Sequence, residues 1–146
     1  MKIRQAIISD TKSLKDLSKQ VIITCYTGFM GEDMVNGYIS SGAVNDEIDQ
    51  HIKSTFVAVD ESEAVKGYVV IIDDLIHIMM VSPSQQRKGI GAILLSFAET
   101  KIRSRNMKPT LETFETNTQA MNFYLKNGWT ITRRELEPDY GFVRVF

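Results

Sequence analysis

Gln86-Arg87-Lys88-Gly89-Ile90-Gly91-Ala92 is the stretch on which the reading of this chain turns. Before it, the apolar run from Leu75 to Val81 reads as a strand, broken by Ser82-Pro83-Ser84-Gln85. After it, Ile90, Ile93, Leu94, Phe97, Ala98 and Ile102 recur at the spacing of one helix face, which predicts a helix from Gly89 to about Arg103. A helix start leaves its first amide N–H groups without intrahelical partners, and the helix dipole adds partial positive charge there. Two glycines that let ligand oxygens come close, with Arg87 and Lys88 just before them, therefore describe a site for phosphate.

Outward from the loop, the pattern alternates. Lys2 to Ile8 predicts a first strand, and Ser9-Asp10 a helix cap. Leu14, Leu17, Val21, Ile22 and Cys25 predict an amphipathic helix from Thr11 to about Tyr26. The next segment, 26–53, is interrupted by Gly28, Gly31, Gly37 and Gly42, with short helices around Met34 to Ile39 and Ile48 to Ile52. Strands over Thr55 to Val59, Gly67 to Ile72 and Leu75 to Val81 form an antiparallel meander. Beyond the loop helix come a strand over Thr110 to Glu115, a helix from Thr118 to Lys126 stopped by Asn127-Gly128, and closing strands over Trp129 to Glu135 and Gly141 to Phe146. The strand, helix, strand step from Leu75 to Glu115 needs a crossover, so those two strands are expected to run parallel.

At 146 residues, with 43% apolar and 24% charged residues, the chain fits a single globular domain over 1–146. A formal net charge of -1 argues against nucleic acid as partner. One cysteine, Cys25, leaves no intrachain disulfide, and no apolar run reaches the roughly 18 residues of a membrane span. The start Met1-Lys2-Ile3-Arg4-Gln5-Ala6 lacks a signal-peptide core, so a cytoplasmic protein without a membrane partner is expected.

Three pieces in order resemble the GCN5-related N-acetyltransferase (GNAT) superfamily. The loop from Gln86 to Gly91 is similar to the family's acyl-CoA loop. Leu111-Glu112-Thr113, then Asn117, Ala120, Phe123, Tyr124 and Gly128-Trp129, is similar to its later segment. Ile3-Arg4-Gln5-Ala6 with Asp10 is similar to its first strand and helix cap. The resemblance implies an α/β (α+β) GNAT fold: a mixed, mostly antiparallel sheet of about seven strands, a parallel central pair splayed around acetyl-CoA, and about four flanking helices. It implies a pyrophosphate cradle of Arg87, Lys88, Gly89, Ile90, Gly91 and Ala92, with the backbone of Met79, Met80 and Val81 along the pantetheine arm and Asn117 toward the cofactor.

The resemblance further implies acetyl transfer to a primary amine, of a small molecule, polyamine or protein, by direct attack in a ternary complex. Tyr124 matches the family tyrosine that returns a proton to the departing CoA thiolate. From the residues alone, a tyrosine packed on a helix face with its hydroxyl bonded to backbone is the favoured reading. His77 matches a histidine of an aromatic-amine-acetylating branch and is a candidate base, whereas the glutamate of many relatives is replaced by Leu75. In regular alternation Leu75, His77, Met79 and Val81 share one face of the strand. Glu112 and Glu115 are further candidates for the base.

The acceptor wall falls on 26–53 and 135–140, where Tyr26, Glu32, Tyr38 and Tyr140 could receive a cationic amine by ion pairing and cation–π contact. Cys25 gives little support to an acyl-enzyme. His51 and His77 have no cysteine partners and no metal spacing in the sequence, so no metal is expected. Family members are often dimers, which makes a homodimer an expectation, although no stretch marks its interface. A different class of function stays open: a GNAT-fold module that binds acyl-CoA as a sensor without turnover. Tyr124 favours the enzyme, because a binder needs no proton donor at the sulfur.

Overall fold

The meander expected from the apolar runs forms the centre of the computed structural model, which describes residues 1–136 and 143–146. Its residues fall into two compact units, Met1–Pro109 and Thr110–Phe146. In the first unit β1 (Lys2–Gln5), β2 (Thr55–Val59), β3 (Val65–Ile72) and β4 (Leu75–Val81) pair antiparallel in that order. Around them run α1 (Thr11–Val21), α2 (Thr27–Met30), α3 (Glu32–Ser40), α4 (Ala43–His51) and α5 (Ile90–Ser104). The second unit holds β5 (Thr110–Leu111), β6 (Thr113–Phe114), α6 (Thr118–Lys126), β7 (Arg134–Leu136) and β8 (Val143–Val145), with β8 between β6 and β7.

The described residues thus hold eight strands and six α-helices, against about seven and four expected. The difference has two local origins. The strand expected over Thr110 to Glu115 is interrupted at Glu112, and the glycine-broken 26–53 segment supports three short helices rather than two. Of the closing strands only Arg134–Leu136 and Val143–Val145 are formed among the described residues.

α1 buries Leu14, Leu17, Ser18 and Val21, the three-to-four spacing that selected it as amphipathic. The helix does not run regularly to Tyr26: Ile22–Tyr26 is wound as a π-turn, with Ile23 exposed and Cys25 half-buried. Asp10 does not cap α1 with its side chain as expected. Its carboxylate accepts Arg4 Nη1 at 2.8 Å and Nη2 at 3.0 Å, and the Ile7 N–H at 2.8 Å. The guanidinium, first of these, holds the buried carboxyl below its ordinary value.

Leu14, Leu17, Val21, Ile22, Val35, Val44 and Ile48 from the helices pack with Val57, Val59, Tyr68, Val70 and Met80 of the strands into one cluster. Gly67, one residue before Tyr68, faces the other way, under α5. A Cβ there would stand 2.9 Å from the Met80 carbonyl oxygen and 3.1 Å from Leu94 Cδ1, so only glycine lets the helix come this close. The inward stripe of α5 is Ile90, Leu94, Leu95, Ala98 and Ile102. Ile93, expected inside, is 45% exposed, and Leu95 takes the buried position. Phe97 does turn inward, onto Phe56 of β2 with ring centroids 5.1 Å apart. Among the described residues no helix is long and apolar enough to cross a membrane.

Candidate active site

After Val81 the chain makes one 3-10 turn, Pro83–Gln85, anchored by the Ser82 N–H on the Lys66 carbonyl at 2.9 Å. Gln86 then folds back, its Nε2 donating to the Val81 carbonyl at 3.2 Å and to Cys25 Sγ at 3.5 Å. Gly89 precedes α5 in the left-handed region, φ 87° and ψ -1°, which a residue with a Cβ adopts at a cost. Arg87 also has positive φ, 65°. The first intrahelical bond runs from the Ile93 N–H to the Gly89 carbonyl at 3.1 Å, so the N–H groups of Ile90, Gly91 and Ala92 precede the ladder. Arg87, Lys88, Gly89 and Ala92 are exposed, while the Ile90 side chain is buried and contributes only its amide to the rim. An amide cluster thus opens a 15-residue helix with two exposed cations beside it, an arrangement whose partial and full positive charges suit an anion.

Of the strand leading into the loop, Met80 is core. Its sulfur accepts the Ser18 hydroxyl at 3.4 Å and the Tyr68 hydroxyl at 3.3 Å, and Met79 and Val81 are half-buried. Burial raises the Tyr68 phenol well above its ordinary value. The expected alternation along β4 fails at one point. Val70 pairs with Ile78 and Ile71 with Ile76, so His77 has no partner on β3 and forms a β-bulge. The bulge turns His77 toward α4, the side on which Met80 also packs, where strict alternation would have separated them.

There His77 Nε2 meets Glu47 Oε1, and His51 Nε2 lies 3.3 Å from the same oxygen. The two imidazole rings stand edge to face, centroids 5.0 Å apart. Sequence reading singled out His77 and missed both partners. Glu47 and His51 are four apart on one helix, a spacing that puts them on one face, but the helix was expected to start only at Ile48.

Two of the acceptor candidates, Tyr26 and Tyr38, come together against the core. Tyr26 stacks on Phe29 at 5.2 Å between centroids and lies half-buried against the core, its phenol pushed up to about 12 by burial. Tyr38 also packs against that core, and Glu32 is exposed in the first turn of α3. Tyr140 lies outside the described residues, as do Glu137 and Asp139.

In the second unit Asn117 caps α6, its Oδ1 accepting the Ala120 N–H at 3.3 Å. Tyr124 is half-buried in the last turn of α6, edge-on to Phe123 at 5.4 Å and to Trp129 at 6.4 Å. It lines a shallow apolar cavity with Leu111, Thr113, Met121, Trp129 and Phe146. Glu115, a fallback base, is engaged with Arg134 at 3.6 Å.

The family model for the acetyltransferase (GNAT) domain matches residues 51–131, more than half of the chain, and this span contains β4, the loop, α5 and α6. The chain belongs to the GNAT acetyltransferase family. A peptidyl-lysine N-acetyltransferase, YjaB of Salmonella typhimurium, is 31% identical over 88 residues, covering 59% of this chain and 57% of that protein. An uncharacterized protein, YxbD of Bacillus subtilis, is 33% identical over 65% of this chain and 59% of its own length. The chain thus spans under two thirds of the curated relatives it matches. Among solved structures, the PaiA N-acetyltransferase of Thermoplasma acidophilum in complex with coenzyme A shares the fold with a TM-score of 0.80 at 20% identity, over 99% of this chain and 96% of that one. Apo YjaB of Escherichia coli does so with a TM-score of 0.79 at 18% identity, over 99% and 93%. The mixed α/β GNAT fold expected from the sequence is the fold observed.

Proposed function

We propose that this chain moves the acetyl group of acetyl-CoA to a primary amine, with the Nζ of a peptidyl lysine the foremost acceptor. The observation that carries the reading is the family match over 51–131, which includes the amide cradle at α5, His77 and Tyr124 together. The lysine acceptor rests on the activity named for the Salmonella relative. The coenzyme A held by the Thermoplasma neighbour supports acetyl-CoA as donor. A site of action in the cytoplasm accords with a chain whose described helices do not span a membrane.

In this reading the amides of Ile90, Gly91 and Ala92, with Arg87, Lys88 and Gly89, hold the pyrophosphate, and the backbone of Met79, Met80 and Val81 meets the pantetheine arm. The acceptor arrives as an ammonium and must lose a proton before its lone pair can attack. His77 serves as base through Nδ1: an Nε2–H donated to Glu47 fixes the tautomer that leaves Nδ1 free to accept. The amine nitrogen then bonds to the thioester carbonyl carbon. The tetrahedral adduct collapses with cleavage of the C–S bond, the thiolate takes the phenolic proton of Tyr124, and the second proton of the former amine nitrogen returns to the phenolate, leaving a neutral amide, free thiol and phenol. Tyr26, Glu32, Tyr38 and Tyr140 remain the proposed acceptor contacts, and residues 1–146 act as one acetyltransferase domain.

The test is to incubate the chain with acetyl-CoA and a lysine-containing peptide library, with polyamines and aryl amines in parallel, and to read the products by mass spectrometry. Acetylated lysine supports the reading. Tight coenzyme A binding with no acetylated product from any amine would leave a binding module instead.

A further inference from the structure

Glu47 and His51, one turn apart on α4, and His77 on the β4 bulge each offer one ligating atom, and the three atoms lie within 4.8 Å of one another. We propose that Glu47, His51 and His77 form a two-histidine, one-carboxylate site for a divalent transition metal, zinc foremost.

The geometry approaches what coordination needs, with His77 Nε2 and Glu47 Oε1, now in direct contact, having to part to admit an ion. Zinc holds imidazole nitrogen and carboxylate oxygen at about 2.0–2.2 Å, which sets tetrahedral neighbours about 3.4 Å apart. Glu47 Oε1 and His51 Nε2 already stand 3.3 Å apart. The widest pair exceeds the required separation by at most about 1.4 Å, within reach of small side-chain rotations. The donor set is two borderline nitrogens with one oxygen, which suits zinc, iron or cobalt rather than calcium or magnesium. With both rings neutral the carboxylate cancels half the charge of the ion. Side-chain exposures of 28% for Glu47, 19% for His51 and 27% for His77 leave the cluster partly dry yet open to an ion from solvent. The expectation of a metal-free chain rested on spacing along the sequence, and the fold brings together residues that the sequence keeps 30 positions apart.

Occupancy has a functional consequence that rests on the transferase reading. A cation on His77 Nε2 displaces the ring proton to Nδ1, so the nitrogen proposed as base becomes N–H and can no longer accept. Zinc is then a reversible inhibitor acting through the base.

The binding test stands apart from activity and uses no acetyl-CoA or amine. The chelator-stripped wild-type chain is titrated with ZnCl2 by calorimetry, and with CoCl2 by visible absorption. Expected are one zinc per chain and the ligand-field bands of four- or five-coordinate cobalt without a thiolate charge-transfer band. Loss of even an outer-shell partner typically costs 10–100-fold in affinity, so His51→Ala, His77→Ala and Glu47→Gln should each weaken zinc by about 100-fold or more. Cys25→Ser should bind as wild type. The cobalt spectrum of the unaltered chain reports coordination even if a variant folds poorly. No saturable zinc binding, wild-type affinity in both folded histidine variants, or loss of binding in Cys25→Ser would each overturn the proposal.

Discussion

The Nε2 of Gln86 lies 3.2 Å from the carbonyl oxygen of Val81, tying the first residue of the loop to the last residue of β4. The same amide reaches Cys25 Sγ at 3.5 Å, so the loop is fastened to the π-turn as well. An ordinary hydrogen bond contributes about 1 kcal/mol, and this one holds the residue that opens the proposed pyrophosphate loop. Gln86→Ala is expected to weaken coenzyme A roughly fivefold by calorimetry, with the melting temperature little changed.

Gly89 occupies the left-handed region just before α5, with nothing within 4 Å of where a Cβ would sit. Its requirement is therefore conformational rather than steric. Gly89→Ala should cost about 1–2 kcal/mol, seen as a lower urea midpoint, and should weaken coenzyme A because the amides of Ile90 and Gly91 turn away. Equal stability and affinity in the variant would show that the cap geometry is not needed.

Gly67 tests the packing of α5 on the sheet. Its neighbour at 2.9 Å is the backbone oxygen of Met80, which cannot rotate out of the way. Gly67→Ala should destabilise the chain by about 1–3 kcal/mol in denaturant unfolding.

Asp10 supplies a pH dependence. Its carboxyl is held below the ordinary value, first by Arg4 and then by the Ile7 N–H, and the Arg4 guanidinium is held charged by the same contact. A folded-state value below the unfolded one of about 3.9 stabilises fully above that pH and is lost as the pH falls through the folded value. Asp10→Ala should cost about 2–3 kcal/mol near neutrality, discounted because Arg4 is partly exposed. The gap in melting temperature between wild type and variant should stay constant above about pH 5 and narrow below about pH 4.

Much of this was legible in the sequence. Apolar periodicity located β2, β4, α1, α5 and α6, and the glycines after Arg87 and Lys88 marked the junction at which α5 begins. What escaped was set by tertiary detail. Ile93 and Leu95 are both apolar and two residues apart, so periodicity alone does not decide between them, and the packing of α5 buries Leu95 and leaves Ile93 45% exposed. The bulge at His77 cannot be read from a run of seven apolar-flanked residues, yet it alone sends the imidazole to Glu47 and His51. Asp10 looked like a cap because Asp is a good one, and Arg4 outcompeted the helix for its carboxylate.

The account stands or falls on Tyr124 as proton donor to the thiolate. The most direct measurement is amine-dependent release of free thiol from acetyl-CoA by wild type and Tyr124→Phe, beside the coenzyme A affinity of each. General acid assistance is worth about 10²–10⁴-fold, so the variant should lose kcat by that order with affinity changed no more than about threefold. Thiol release by the variant at the wild-type rate, or none by either protein with any amine, would contradict it.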